Sequence, residues 1–282
     1  MTTNLVLQGP QADLETLERL ARLANPQRLA PLGGHALRAE GVAYSATLKH
    51  EIDAAAFEAG VDATFIAAGR TLADFRLVAM DMDSTLITIE CIDEIADMQG
   101  LKPQVAAITE AAMRGELDFS ESLARRVALL EGLDARALQR VYDERLAISP
   151  GGEAMLRAVQ AAGLKTLLVS GGFTFFTERL GTRLGLDTTH ANVLEVVDGR
   201  LSGRVLGGIV DAEEKKRTVE RVCAELGIDP SQAIVMGDGA NDLKMMGIAG
   251  LSVAFRAKPV VREQASVALN FSGLDGLLTI LS

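Results

Sequence analysis

The chain has 282 residues, 48% of them hydrophobic, and its 38 acidic residues outnumber 28 lysines and arginines for a formal net charge of −10. That length suits one large domain with an insertion, or two to three smaller units, and the acidic balance argues against nucleic acid or an anionic membrane as main partner, because no basic surface is available to neutralise phosphates. No apolar run approaches the roughly 18 residues of a membrane span and no basic, then apolar leader opens the chain, so the sequence predicts a soluble, cytoplasmic protein.

Residues 1–74 read as a small α+β unit: a strand at Asn4–Gln8, a helix over Leu14–Leu23, a glycine-broken middle, alternation from Val42 to Leu48, and a short helix near Ala54–Ala59. A β-α-β-β-α-β order can be drawn through it, and no motif in it points to a ligand. Next comes Leu77-Val-Ala-Met-Asp81-Met-Asp83-Ser-Thr85, an apolar run ending in two carboxylates one residue apart. Residues i and i+2 of a strand share a face, roughly 6 to 7 Å apart, so both acids can address one small ligand. Read without function, the same letters are an Asx-rich turn closing an ordinary strand.

Four helical segments follow, at about 90–98, 103–114, 119–130 and 134–146. Their short connections imply antiparallel neighbours, a small bundle inserted in the sheet domain and placed as a lid. Ser149-Pro150 then reads as a helix start with Ser149 as cap. Thr166–Val169 runs into Ser170-Gly171-Gly172; Asp198-Gly199 sits between two β-prone runs as a hairpin turn; Asp211–Glu214 puts acids in the first turn of a helix that carries Lys215 and Lys216; and Ala233–Met236 runs into Gly237-Asp238-Gly239-Ala240-Asn241-Asp242. The expected units are 1–74, a catalytic core of 75–88 with 150–282, and a helical cap of 89–149. A fragment beginning near Leu72 holds every motif residue and is expected to fold alone.

Open α/β sheets bind ligands beyond the carboxyl ends of their strands, so the three polar strand ends should converge on one crevice. Neither GxxxxGK[ST] nor GxGxxG occurs, so phosphate must be held otherwise. At Ser170-Gly171-Gly172 a hydroxyl, glycine amides and a helix N-terminus can jointly hold an anion, although alone the segment is merely a tight turn. Cys91 and Cys223 lack CxxC spacing and read as buried free thiols; His35, His50 and His190 stand alone.

Taken together, Asp81-x-Asp83, Ser170, Lys215 and Gly237-Asp238-Gly239-x-Asn241-Asp242 resemble the four ordered motifs of the haloacid dehalogenase superfamily of phosphatases. The likeness is greatest to its phosphoserine-phosphatase branch, through Asp83-Ser-Thr85, Glu90-x-Ile92-Asp93-Glu94, Phe119-x-x-Ser122-Leu123-x-x-Arg126-Val127, Ser170-Gly-Gly-Phe173 and Gly237–Asp242, and covers about residues 76–282. The resemblance implies a Rossmann-like parallel sheet with an inserted helical cap and a small N-terminal α+β, ACT-like domain. It implies that Asp81 attacks the phosphorus of O-phosphoserine, that Asp83 is general acid and base, and that water hydrolyses the aspartyl-phosphate, the last step of serine biosynthesis.

A phosphate beside carboxylates costs on the order of 4 kcal/mol per charge pair at 4 Å and ε near 20. The resemblance supplies the needed positive charge as Mg²⁺, held by the Asp81 carboxylate, the Asp83 carbonyl and Asp238, and as Lys215, with Lys216 a rival. It further implies that Ser170, Gly171 and Asn241 hold phosphate, that Asp242 supports the metal or Lys215 from outside, and that Glu90 and Arg126 bind the amino and carboxylate groups, with Met113 and Phe119 beside them. Without it, Glu90 and Arg126 are solvated helix charges and Met113 and Phe119 core residues. L-serine as an inhibitor and a homodimer are compatible with it. The rival functions are transfer of the phosphoryl group to another alcohol such as homoserine, and a noncatalytic serine-sensing regulator.

Overall fold

The computed structural model describes residues 2–114 and 116–282; the side chain of Met113 also lies outside the described part. The first unit contains β1 (Thr3–Gln8), α1 (Leu14–Arg22), β2 (Arg28–Pro31), β3 (Ala36–Val42), α2 (Ala46–Glu58) and β4 (Asp62–Ala67). Its antiparallel sheet has the order β2-β3-β1-β4. Alternation along β1 divides the burial: Leu5 and Leu7 pack with Leu17, Leu20 and Ile52 of the two helices, whereas Val6 on the other face joins the large core of the rest of the molecule, as does Ile66 of β4. The strand expected from Val42 to Leu48 stops at Val42. Ser45 Oγ accepts the Leu48 N–H at 3.1 Å and starts a helix that runs to Glu58, so a cap overrides a few residues of alternation.

The rest of the chain runs β5 (Leu77–Met80), α3 (Cys91–Asp97), α4 (Lys102–Met113), α5 (Phe119–Ala128), α6 (Arg136–Glu144), α7 (Gly152–Ala161), β6 (Lys165–Phe173), α8 (Thr174–Leu184), β7 (Thr188–Val197), β8 (Arg200–Leu206), α9 (Ala212–Leu226), β9 (Ala233–Gly237), α10 (Leu243–Met246), β10 (Leu251–Phe255), α11 (Pro259–Gln264), β11 (Val267–Leu269) and α12 (Gly276–Ile280). Its seven strands lie in the order β11-β10-β9-β5-β6-β7-β8, parallel except for the β7–β8 hairpin. That hairpin turns on Asp198 and Gly199, both at positive φ (50° and 76°), the geometry that matches strand twist.

β5 is apolar throughout because both faces are covered: Val78 and Met80 enter one core, Leu77 and Ala79 the other, with Val219 and Val222 of α9. It lies between β6 and β9, where the strand order reverses, and a crevice opens beyond the carboxyl ends there. Helices α3 to α6 sit between β5 and α7 in sequence. The start expected at Ser149-Pro150 falls instead at Gly152, after Gly151 in the left-handed region at φ 76°; a Cβ on Gly151 would lie 2.0 Å from Asp275 Oδ1, so chain crossing sets this corner.

Candidate active site

Asp81 follows the last residue of β5 and its N–H donates to the Met236 carbonyl of β9 at 3.0 Å, which fixes its backbone across the sheet. The chain then turns tightly, with Ser84 in the left-handed region at φ 54°, a strained setting for a residue with a side chain. That turn aims Ser84 Oγ at Glu90 Oε1, 2.7 Å away. Asp83 Oδ1 accepts the Cys91 N–H at the start of α3 (3.3 Å), and its other oxygen lies over Gly172, where a Cβ would come within 2.8 Å. Only glycine admits the acid at this point.

From β6, Ser170 Oγ accepts the Gly172 N–H at 2.9 Å, leaving its own proton free to donate. The strand continues through Phe173, so the glycine pair belongs to β6 and α8 begins directly after it, not after a separate turn. A Cβ on Gly171 would approach Phe119 Cζ to 2.8 Å, so the first residue of α5 rests on the glycine backbone and closes one side of the crevice.

Lys215, on α9 and fully buried, reaches Asp81 Oδ1 and Asp242 Oδ1, each at 2.8 Å. Lys216 points elsewhere and pairs with Glu220 at 3.6 Å. The second Asp242 oxygen accepts the N–H groups of Asp238 (3.1 Å) and Gly239 (3.0 Å), so this buried acid orients both the lysine and the turn after β9. Asp81, Asp238 and Asp242 each offer a carboxylate oxygen, all within 4.8 Å of one another. The donor set fits a hard divalent cation: every donor is oxygen, and Asp242 is already engaged by Lys215 and two amides, which leaves Asp81 and Asp238 for an ion.

These side chains surround a cavity of about 520 Å³. Asp81, Asp83, Ser170, Gly171, Asp238 and Asn241 line its floor on the sheet side, and Glu90, Phe119 and Arg126 line it from the inserted helices. Of the residues singled out from sequence, Lys215 and Asp242 lie behind this wall and the Met113 side chain lies outside the described part. Two charged wall residues, Asp93 and Lys258, had no role assigned from sequence. Asp93 carries a buried Oδ1 without a hydrogen-bond partner among the described residues; Lys258 lines the cavity and is exposed. Each looks like an ordinary helix-terminal charge in the sequence, and Asp93 is marked there only by its place in the Glu90-x-Ile92-Asp93-Glu94 motif.

Electrostatics in the cavity follow from crowding acids in a poorly hydrated place. Burial, then the Asp242 charge, pushes Asp81 well above the usual carboxylate range, and Lys215 opposes both. Burial, then Glu90, raises Asp83 to about 7; burial, then Asp242, raises Asp238 to about 7. Burial alone would depress Lys215, but Asp242 and Asp81 outweigh it and hold the ammonium above its ordinary value. The surrounding protein also raises Glu90, against the Ser84 hydrogen bond, although Glu90 faces the cavity and keeps water beside it. Burial lowers Arg126, against the pull of Asp93 and Glu90.

A carboxylate pair at the end of a central parallel strand, a buried lysine from one neighbour and an all-oxygen acid cluster from another define a hydrolase of the acid-nucleophile kind. Residues 78–247 match the pattern of haloacid dehalogenase-like hydrolases, and the chain belongs to that family. It is 59% identical over 215 residues to a phosphoserine phosphatase of Polaromonas sp., an alignment covering 74% of this chain and 91% of that protein. Among solved structures it resembles a HAD family hydrolase from Salmonella enterica serovar Typhi (TM-score 0.91, 32% identity, 100% of this chain and 99% of the other). It also resembles a probable phosphoserine phosphatase from Vibrio cholerae in unliganded form (TM-score 0.83, 35% identity, 99% and 86%). No helix among the described residues is long and apolar enough to cross a membrane.

Proposed function

We propose that this chain is a cytoplasmic, Mg²⁺-dependent phosphatase that hydrolyses O-phospho-L-serine to L-serine and phosphate. The observation that carries the substrate is the two-ended cavity: acids, Ser170 and glycine amides on the sheet side, Glu90 and Arg126 on the helical side. A phosphomonoester whose alcohol bears an ammonium and a carboxylate matches both ends, with the planar Arg126 fork suited to the carboxylate and Glu90 to the ammonium. The likeness to phosphoserine phosphatases, 59% and 56% identical over 74% of this chain, supports the same reading. Residues 1–74 are read as an ACT-like unit attached to this body, and L-serine, which keeps both recognised groups, as an inhibitor.

Asp81 Oδ attacks phosphorus, and the bond from phosphorus to the seryl oxygen breaks as Asp83 gives that oxygen its proton. With Asp83 raised to about 7, a fraction of it stays protonated at neutral pH, as the first half-reaction needs. Asp83, now a carboxylate, takes a proton from water, whose oxygen attacks the aspartyl-phosphate; phosphate leaves and Asp81 is restored. Lys215 lies against the attacking carboxylate and favours its ionised form, and Asp242 holds Lys215 there. Ser170 Oγ–H, the Gly171 amide and Asn241, all from residues that line the cavity, donate to phosphate oxygens or orient them in this reading. Mg²⁺, held by Asp81, the Asp83 carbonyl and Asp238, would neutralise part of the charge that phosphate and carboxylates bring together.

A steady-state panel of O-phosphoserine, O-phosphothreonine and 4-nitrophenyl phosphate, with Mg²⁺ and with chelator, tests the reading. The highest kcat/KM should fall on O-phosphoserine, and Glu90→Gln and Arg126→Ala should lower it far more there than on the aryl phosphate. Equal losses on both would remove the substrate assignment. Homoserine in the assay should yield no O-phosphohomoserine; its appearance would mark a phosphotransferase.

A further inference from the structure

The cavity has a problem of access. Its wall carries five carboxylates against two cations, Arg126 and Lys258, among the described residues, and the chain as a whole has a net charge of −10. An anionic phosphomonoester must enter through this field. Lys215 lies beneath the floor in a closed contact with Asp81 and Asp242, and Arg126, whose Nε donates to the Ser122 carbonyl at 3.4 Å, feels the charges of Asp93 and Glu90 on the helical wall.

Lys258 is placed differently. Its N–H donates to the Asp238 carbonyl at 3.1 Å, and Pro259 directly behind it opens α11, so its backbone is tied to the acid at the end of β9. Its side chain is exposed, lines the cavity, and enters no ion pair among the described residues. It acts favourably on the charges of both Glu90 and Asp238, which repel each other, and so lies within electrostatic reach of both. A compact ammonium on a flexible four-carbon stem can follow an anion inward without breaking a prior bond.

We propose that Lys258 is a substrate-capturing residue, whose ammonium meets the incoming phosphate at the mouth between Glu90 and Asp238 before the phosphate reaches Ser170 and the acid pair. The proposal rests on the phosphomonoesterase reading but not on the identity of the alcohol, since phosphate is the group recognised. Clefts that focus one sign of charge raise the local concentration and entry rate of a charged substrate, and salt screens the effect.

The test compares Lys258→Gln, Lys258→Arg and the parent enzyme with Mg²⁺ on O-phosphoserine and 4-nitrophenyl phosphate, from low to high ionic strength. Lys258→Gln should raise KM for both substrates by about tenfold at low salt while kcat stays within about twofold, with the difference shrinking as salt rises. Lys258→Arg should keep most of the parent behaviour, and thermal melting shows whether either variant is folded. An unchanged KM with an unchanged salt slope overturns the proposal. So does a fall in kcat alone, or a KM effect confined to O-phosphoserine, which would place Lys258 at the amino-acid end. If the parent enzyme hydrolyses the aryl phosphate but not O-phosphoserine, the substrate reading fails while the aryl series still decides the role of Lys258.

Discussion

Asp83 and Asp242 show how single carboxylates acquire different work from their surroundings. Asp83 is raised from 3.8 to about 7 by burial and by Glu90, so it is an acid below that pH and a base above it. The first half-reaction needs the acid, and kcat/KM for O-phosphoserine should therefore fall as pH rises past about 7, a limb that Asp83→Asn should abolish along with most activity. A profile that is flat there in the parent enzyme would remove Asp83 as proton carrier. Asp242 is the counter-charge of a fully buried lysine. Asp242→Ala leaves that ammonium to Asp81 alone and two amides without their acceptor, and should cost roughly 3–5 kcal/mol of stability, read as a lowered denaturant midpoint. A change below about 1 kcal/mol would mean that water or Asp81 takes over.

The elements that deliver these residues were legible in proportion to how local their cause is. β5, β6 and β9 announce themselves as apolar runs ending in acids, serine or glycine, and their convergence follows from parallel-sheet topology. The stretch 42–48 was misread because its alternation is short and Ser45 caps a helix within it. Lys258 had no signal because its neighbours on the wall come from distant segments. The contact between Gly171 and Phe119 was equally invisible, and it joins sheet to cap. Gly171→Ala would drive a methyl toward the Phe119 ring, 2.8 Å from Cζ, so it should displace α5 and reduce kcat/KM for O-phosphoserine at least tenfold with little loss of melting temperature. Full activity in that variant would show that the cap does not need this seat.

On the scale of the whole molecule, the first unit is bound more firmly than a boundary near Leu72 suggests. Asp62 of β4 is buried, and its carboxylate accepts the N–H groups of Asn270 (2.7 Å), Phe271 (3.2 Å) and Ser272 (2.9 Å). These partners are more than 200 residues away in sequence, which is why the sequence does not reveal them. Gln8 donates to the Gly276 carbonyl at 3.0 Å, and Val6 and Ile66 belong to the same core as Leu274, Leu277 and Ile280. At about 1.5–3 kcal/mol for each large apolar side chain uncovered, losing this face takes a large part of an ordinary domain's stability. A fragment from residue 75 should therefore melt well below the full chain and expose a dye-binding apolar surface. An equal melting temperature would restore the expectation of an independent body. The nucleophilic role of Asp81 is tested most directly by rapid acid quenching during turnover of O-phosphoserine, followed by mass spectrometry of the peptides. A phosphoryl adduct on the peptide containing Asp81, accumulating in Asp83→Asn and absent in Asp81→Asn, is the expected result. Phosphate release by Asp81→Asn at the parent rate, with no adduct in any variant, would contradict it.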